Sequence, residues 1–415
     1  MNCDGKREWT NRMPMTQLTE RPAHVPEDRI VDFDVYNPEG VEEGFHEIFQ
    51  KLHDDAGHDL VWTPRNEGHW IALGGELMLD IWPDHRKFSS RIIVVPKSVG
   101  EQHQMLPSTL DPPHHRDFRN LLNTTLSPSA IKNKEDDIRR MAGDLIDKFV
   151  EAGRCNFTTE YAELLPIAVF LGIVNLPQSD AKLLKKLADD IVHPNGTVDY
   201  PDAKQGFFDY LEPHLEERRN GNADDMLSVF VHGKVDGRPL TKEECLILSM
   251  QALMAGLDTV VNMLGFTFEF LARSPDHVLK LRESPEFIPG AVNELIRRFG
   301  VVNVAREVRM DLECDGTELK QGDVVMMISS LVGTDEKLNK CPFDVDFDRA
   351  GSKHTTFGKG VHFCPGTHLA VTELRITIEE WLKRIPEFSL APNARLTYRS
   401  GIVGTLDRLP LIWKK

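Results

Sequence analysis

The segment HTTFGKGVHFCPGTHLAVTELRITIEEWL, residues 354–382, decides how this chain is read. Gly358 and Gly360 are spaced for a tight irregular loop, Cys364 follows, and Gly366 comes two residues later. From about His368 the apolar residues Val371, Leu374, Ile378 and Trp381 recur at helical spacing. Cys364 therefore falls just before or at a helix N-terminus, where free amide donors and the helix dipole stabilise a thiolate. Three chemistries fit such a cysteine. A structural buried cysteine does not require the glycine loop. A nucleophile wants a nearby base, and His362 is close in sequence only. An iron ligand beneath a haem needs an unobstructed backbone, amides donating to sulfur and an apolar setting, which Phe357, Phe363 and the glycines supply.

Upstream, Thr241 and Glu244 form a capping box before an apolar pattern that runs to Phe270 or Leu271. That is about 30 residues and roughly 45 Å of helix, long enough to cross a whole domain. Its centre, MAGLDTV, interrupts the pattern with Gly256, Asp258 and Thr259, all poor helix fillers. The stretch reads either as a weak spot in a core helix or as the close approach of a flat ligand to the backbone. A second helix, about 287–299, puts Glu294 and Arg297 on one face, able to pair with each other or with a third charge. Helical spacing also marks 43–56, 136–150, 178–192 and 204–218. LVWTP and HWIAL read as a hairpin, VVMMIS (324–329) as a strand, and 304–318 as extended pieces. The fold class is mainly α with small β-sheets. Residues 1–40 form an irregular N-terminal arm of the same domain, and 41–415 a single domain.

The formal charge of -16, from 49 basic and 65 acidic residues, argues against nucleic acid as a partner. No secretory or membrane-anchor pattern opens the chain, and the apolar run 164–176 is interrupted by Pro166 and too short to span a bilayer. The six cysteines show no paired spacing, which suits a cytoplasmic protein with reduced thiols.

The segment FGKGVHFCPG resembles the haem-binding signature of the cytochrome P450 family, with Phe357, Gly358, Gly360, His362, Cys364 and Gly366 in register. ELIR (294–297) is similar to the family's Glu-x-x-Arg pair, and AGLDT (255–259) to its oxygen-activating groove. The likeness covers nearly the whole chain and is closest to the soluble bacterial camphor hydroxylases, through DLVWTP, DPP, CNFT, GLDTVVN and SGIV among others. It implies haem b held by Cys364, with His362, Arg306, Arg119 and more weakly His115 toward the propionates. Asp258 and Thr259 would deliver protons on the dioxygen side, with Lys185 and His193 tethering the acid. Glu294 and Arg297 would support the cysteine loop.

Electrons would come from a [2Fe–2S] ferredoxin with a separate reductase, to a monomeric enzyme that consumes O2 and takes a small hydrophobic substrate. Arg116 and Arg119 would contribute to the ferredoxin surface, while Leu79 and Gly351 stand where the camphor enzyme has basic residues. At the substrate pocket, His103 stands where that enzyme has tyrosine. Val94 and Met105 replace phenylalanines, Met254 a valine and Gln251 a leucine, while Val302 is kept. The expectation is a reshaped pocket for a terpenoid or norisoprenoid, an ionone-like ketone ahead of camphor. A haem-dependent isomerase or dehydratase, or a haem sensor, are the readings of a different class.

Overall fold

The computed structural model describes residues 18–192 and 200–415. The long apolar pattern forms a single helix of 32 residues, Lys242–Arg273, with both bonds of the Thr241–Glu244 capping box in place. By length and composition this helix could cross a membrane, but 72% of its most apolar window is buried inside the protein. It is a core helix. Around it pack Leu164–Val174, Ala181–Val192, Tyr200–Arg219 and Met226–His232, with Thr367–Arg384 against its C-terminal half and against Glu135–Ile146. Gly256 packs helix to helix: a Cβ there would overlap the ring of Phe170. The absence of a side chain at this glycine is thus accounted for by packing on Phe170.

Five of the strands form one sheet. The hairpin Leu60–Thr63/His69–Ala72 pairs as expected, and its second strand runs parallel to Val324–Ile328. That strand pairs antiparallel with Asn303–Val308, whose other edge takes Phe88–Ser89, giving a sheet of five strands. All four residues of each hairpin strand are buried, so the hairpin lies inside the protein. The described part of the arm packs against it. The Val31 amide donates to the Trp62 carbonyl at 2.9 Å, and Val25 and Val35 are buried. A smaller sheet joins Arg154–Asn156, Pro410–Ile412 and Ser389–Leu390. One continuous hydrophobic core runs from Val25 to Leu411.

Candidate functional site

Cys364 sits at the end of a loop whose backbone holds it from both sides. Its amide donates to the Phe357 carbonyl at 2.8 Å, the Gly358 amide to the Thr355 carbonyl at 2.8 Å, and Thr367 Oγ1 to the Cys364 carbonyl at 2.8 Å. Gly358 and Gly360 have φ of +70° and +74°, and side chains there would press on Trp82 and Pro83. Both glycines are therefore required by conformation and by space. Three residues after the cysteine, Thr367 begins the 18-residue helix that the periodicity predicts. Cys364 is half-buried but lies deep enough for burial to raise its thiol above the usual range. The Gly366 amide, Arg119 and Thr367 pull it back toward the thiolate. An external electrophile such as iron would complete that pull.

The loop is carried by a buried ionic clamp. Arg297 grips Glu294 in a bidentate pair (2.7 and 2.8 Å) and donates to the carbonyls of Gly333, Pro342 (2.7 Å) and Asp344 (3.0 Å). Arg349 is the third charge: its Nε reaches Glu294 at 2.9 Å, and the Asp346 amide donates to the same oxygen at 3.0 Å. Thr356 Oγ1 donates to the Ile296 carbonyl at 2.7 Å, tying the cysteine loop to the helix that bears the clamp. Sequence reading left this third charge unnamed, because a partner 55 residues away has no spacing signal.

A second set of groups meets at the start of the loop. The rings of His115 and His362 lie 4.3 Å apart, edge to face, and the Nε2 of each is buried without a hydrogen-bond partner. Arg306, on the strand Asn303–Val308, is 3% exposed and, among the described residues, donates only to the neighbouring Ala305 carbonyl, at 2.8 Å. Burial first, then mutual repulsion with Arg306, His115 and Arg119, pushes the His362 imidazole down to about 2. Burial takes His115 to about 4 and Arg306 to about 10. Arg119 donates to the Phe363 carbonyl and to Asn123 at 2.9 Å, so it braces the cysteine loop as well as adding positive charge. A buried thiol with an amide donor and a cation beside it, next to buried donors with no hydrogen-bonded carboxylate among the described residues, fits a metal macrocycle with two acidic arms, as haem b has.

On the central helix, Gln251, Ala255 and Thr259 are not buried although most of their neighbours are. At spacings of four they form one open face. Thr259 Oγ1 donates to the Ala255 carbonyl at 3.1 Å, and the Oε1 of Gln251 is enclosed without a partner. Asp258 is turned away from that face, 6% exposed, and close enough to Glu163 to raise its carboxyl's pKa, an effect secondary to burial. Lys185 pairs with Asp189, one turn along its own helix, rather than standing as a dedicated tether for Asp258. His193 lies outside the described residues.

Of the expected pocket residues, Val94, Met105 and Met254 are buried, Val302 is half-buried and bridges Val403, and His103 follows the helix Lys97–Gln102. The His103 ring makes no hydrogen bond among the described residues, and burial lowers it to about 4. It packs on Tyr200, a residue that sequence reading missed, with ring centroids 5.0 Å apart.

Comparison with known proteins agrees with this geometry. The family model described as Cytochrome P450 matches residues 197–394. A protein named probable cytochrome P450 127A1, from Sinorhizobium fredii, is 31% identical over 401 residues, covering 94% of this chain and 96% of its own length. The steroid C26-monooxygenase of Mycolicibacterium smegmatis is 28% identical over 96% of this chain and 98% of its own. Among solved structures, CYP101J2 matches with a TM-score of 0.90 at 43% identity, covering 96% of this chain and 100% of that one. CYP101C1 matches at 0.88 and 36%, covering 95% and 100%. With whole-length relatives above 30% identity and a cysteine loop built as described, the chain belongs to the cytochrome P450 family and is a monooxygenase of the haem-thiolate kind.

Proposed function

We propose that this enzyme hydroxylates a compact terpenoid or norisoprenoid carrying one oxygen, an ionone-like ketone ahead of camphor. Electrons would come from a [2Fe–2S] ferredoxin with its own reductase. One observation carries the reading. His103 is buried, its imidazole's basicity lowered by burial, and it makes no ring hydrogen bond among the described residues, on the segment whose neighbours Val94 and Met105 are buried and not aromatic. A single polar group on an apolar wall recognises a single ketone oxygen on an apolar molecule. Met105 and Met254 adapt to shape more readily than aromatic rings do. Gln251, on the open face of the central helix, is the other candidate to hold that oxygen.

The residues divide the remaining work. Cys364 would hold the iron, and Phe357, Gly358 and Gly366 keep the backbone and amides around its sulfur. Arg306, His362 and His115, with Arg119 beside them, would neutralise the propionates. Haem, when bound, supplies dioxygen activation and the oxidising power for the C–H bond. Thr259 presents a hydroxyl on the open face. Asp258, one residue back and buried on the side of Glu163, would pass protons from the charged cluster of Glu163, Lys185 and Asp189 toward that hydroxyl. Such a link moves protons inward while bulk water stays out. Glu294 and Arg297 take no chemical step.

Optical titration of the haem-loaded enzyme with camphor, cineole, ionones and a sterol tests the reading. Ionones are expected to give the tightest low-to-high-spin shift. A tighter response to camphor, or to the sterol that a steroid-oxidising relative suggests, would overturn it.

A further inference from the structure

The chain has five tyrosines, and four of them use their hydroxyls inside the fold. Tyr161 donates to Thr377 at 3.1 Å, Tyr210 to Asp180 at 2.9 Å, Tyr398 to Glu269 at 2.6 Å, and Tyr36 to the Val95 carbonyl. Tyr200 is the exception: its hydroxyl is buried and has no hydrogen-bond partner. Buried tyrosine hydroxyls ordinarily find a partner, because water is lost on burial and must be replaced. Tyr200 begins the helix Tyr200–Arg219, and its ring lies on His103 at 5.0 Å and 39°. The two rings thus bring two elements together: the helix start at 200 and the segment that continues from His103 to Met105. His103 offers ring nitrogens that are likewise unbonded, yet it does not satisfy the phenol.

We infer that Tyr200 is a specificity-determining residue, whose ring is positioned by its tilted contact with His103 and whose O–H is the donor for the substrate's carbonyl oxygen. This rests on the proposed oxygenated-terpenoid substrate and moves the donor role from His103 or Gln251 to a residue on a different helix. The chemistry selects a neutral acceptor, a ketone or an ether, on an otherwise apolar body. It gives no advantage to the corresponding hydrocarbon.

The test titrates haem-loaded, full-length wild type and Y200F with matched pairs, each an alicyclic ketone and its parent hydrocarbon. Wild type is expected to bind the ketone about tenfold more tightly, the scale of one hydrogen bond. In Y200F the ketone should weaken by about tenfold while the hydrocarbon stays within roughly twofold. A Y200F enzyme that keeps the ketone preference overturns the inference. If H103F loses that preference while Y200F keeps it, the inference falls and the substrate reading stands. Wild type that responds to neither member of any pair overturns the substrate reading instead, and thermal unfolding then decides for Tyr200. A hydroxyl that serves no partner in the fold leaves Y200F melting at or above the wild-type temperature. A clearly lower melting temperature shows that the hydroxyl serves the fold, and the inference fails.

Discussion

Arg297 and Arg306 are both arginines of the interior, and the chain surrounds them in opposite ways. Arg297 meets a bidentate carboxylate and three backbone carbonyls, and its partner Glu294 is further held by Arg349 and the Asp346 amide. Arg306 meets one carbonyl, from its own neighbour, and has two histidines of lowered basicity nearby. A buried charge is tolerable only when it is paired. The first region is complete within the chain and works as structure. The second is arranged to be completed by a bound dianion.

The contrast can be broken by substitution. Arg297→Met should have the largest effect. It removes the bidentate partner of Glu294 and a donor to three carbonyls, leaving Arg349 and the Asp346 amide as the only holds on that carboxylate among the described residues. It should cost about 3–5 kcal/mol of stability, as loss of one partner from a buried pair does. A loss below about 1 kcal/mol in denaturant unfolding would show that the clamp is dispensable. Arg306→Met should do the reverse. Unfolding of the haem-free protein should be unchanged or slightly more resistant. Haem loss to an acceptor protein should quicken by roughly 10- to 100-fold, the worth of one charge-assisted hydrogen bond. Equal damage to both forms would place Arg306 with Arg297.

Histidines remote from the cofactor sharpen the same contrast through pH. Burial holds His46 at about 3 and His69 at about 4, below the ordinary 6.5. Below pH 6.5 the unfolded chain takes up protons that these folded imidazoles refuse. Their contribution is therefore intact above pH 6.5 and drains away as the pH falls toward 4. Each contributes up to about 1.4 kcal/mol per pH unit. In His69→Asn the slope of unfolding free energy between pH 6 and 5 should become shallower by about that amount. An unchanged slope would mean that His69 titrates normally in the folded state. The smallest effect belongs to Lys185→Met, which breaks a partly exposed pair one helical turn apart. Stability should move by less than about 0.5 kcal/mol. A larger loss would bring Lys185 into the interior network.

Local chemistry in the sequence announces some of these features and is silent on others. The capping box at Thr241, the hairpin at 60–72 and the helix after Cys364 rest on residues a few positions apart, and each forms where expected. The pairing of Glu294 with Arg297 has the same local origin. Gly256 was ambiguous because a missing side chain signals only that something comes close; Phe170, 86 positions earlier, is what comes close. Arg349 and Tyr200 were missed for a related reason. Their meaning depends on which distant element packs beside them, and neither a lone arginine nor a lone tyrosine encodes that. The meeting of His115, His362 and Arg306 was inferred through resemblance, not spacing.

The bond from Thr356 to the Ile296 carbonyl has a consequence for building chimeras from related enzymes. Together with the close approach of Gly300 to Thr356, it fastens the cysteine loop to the helix Ile288–Arg298, while paired hydrogen bonds between Asn339 and Lys353 tie the start of that loop to the segment at 339. The heritable module is therefore the whole span from 288 to 366, not the ten-residue signature. Recombination with a crossover between 300 and 356 separates partners that must match, whereas crossovers outside that span carry the ligand loop and its frame across together.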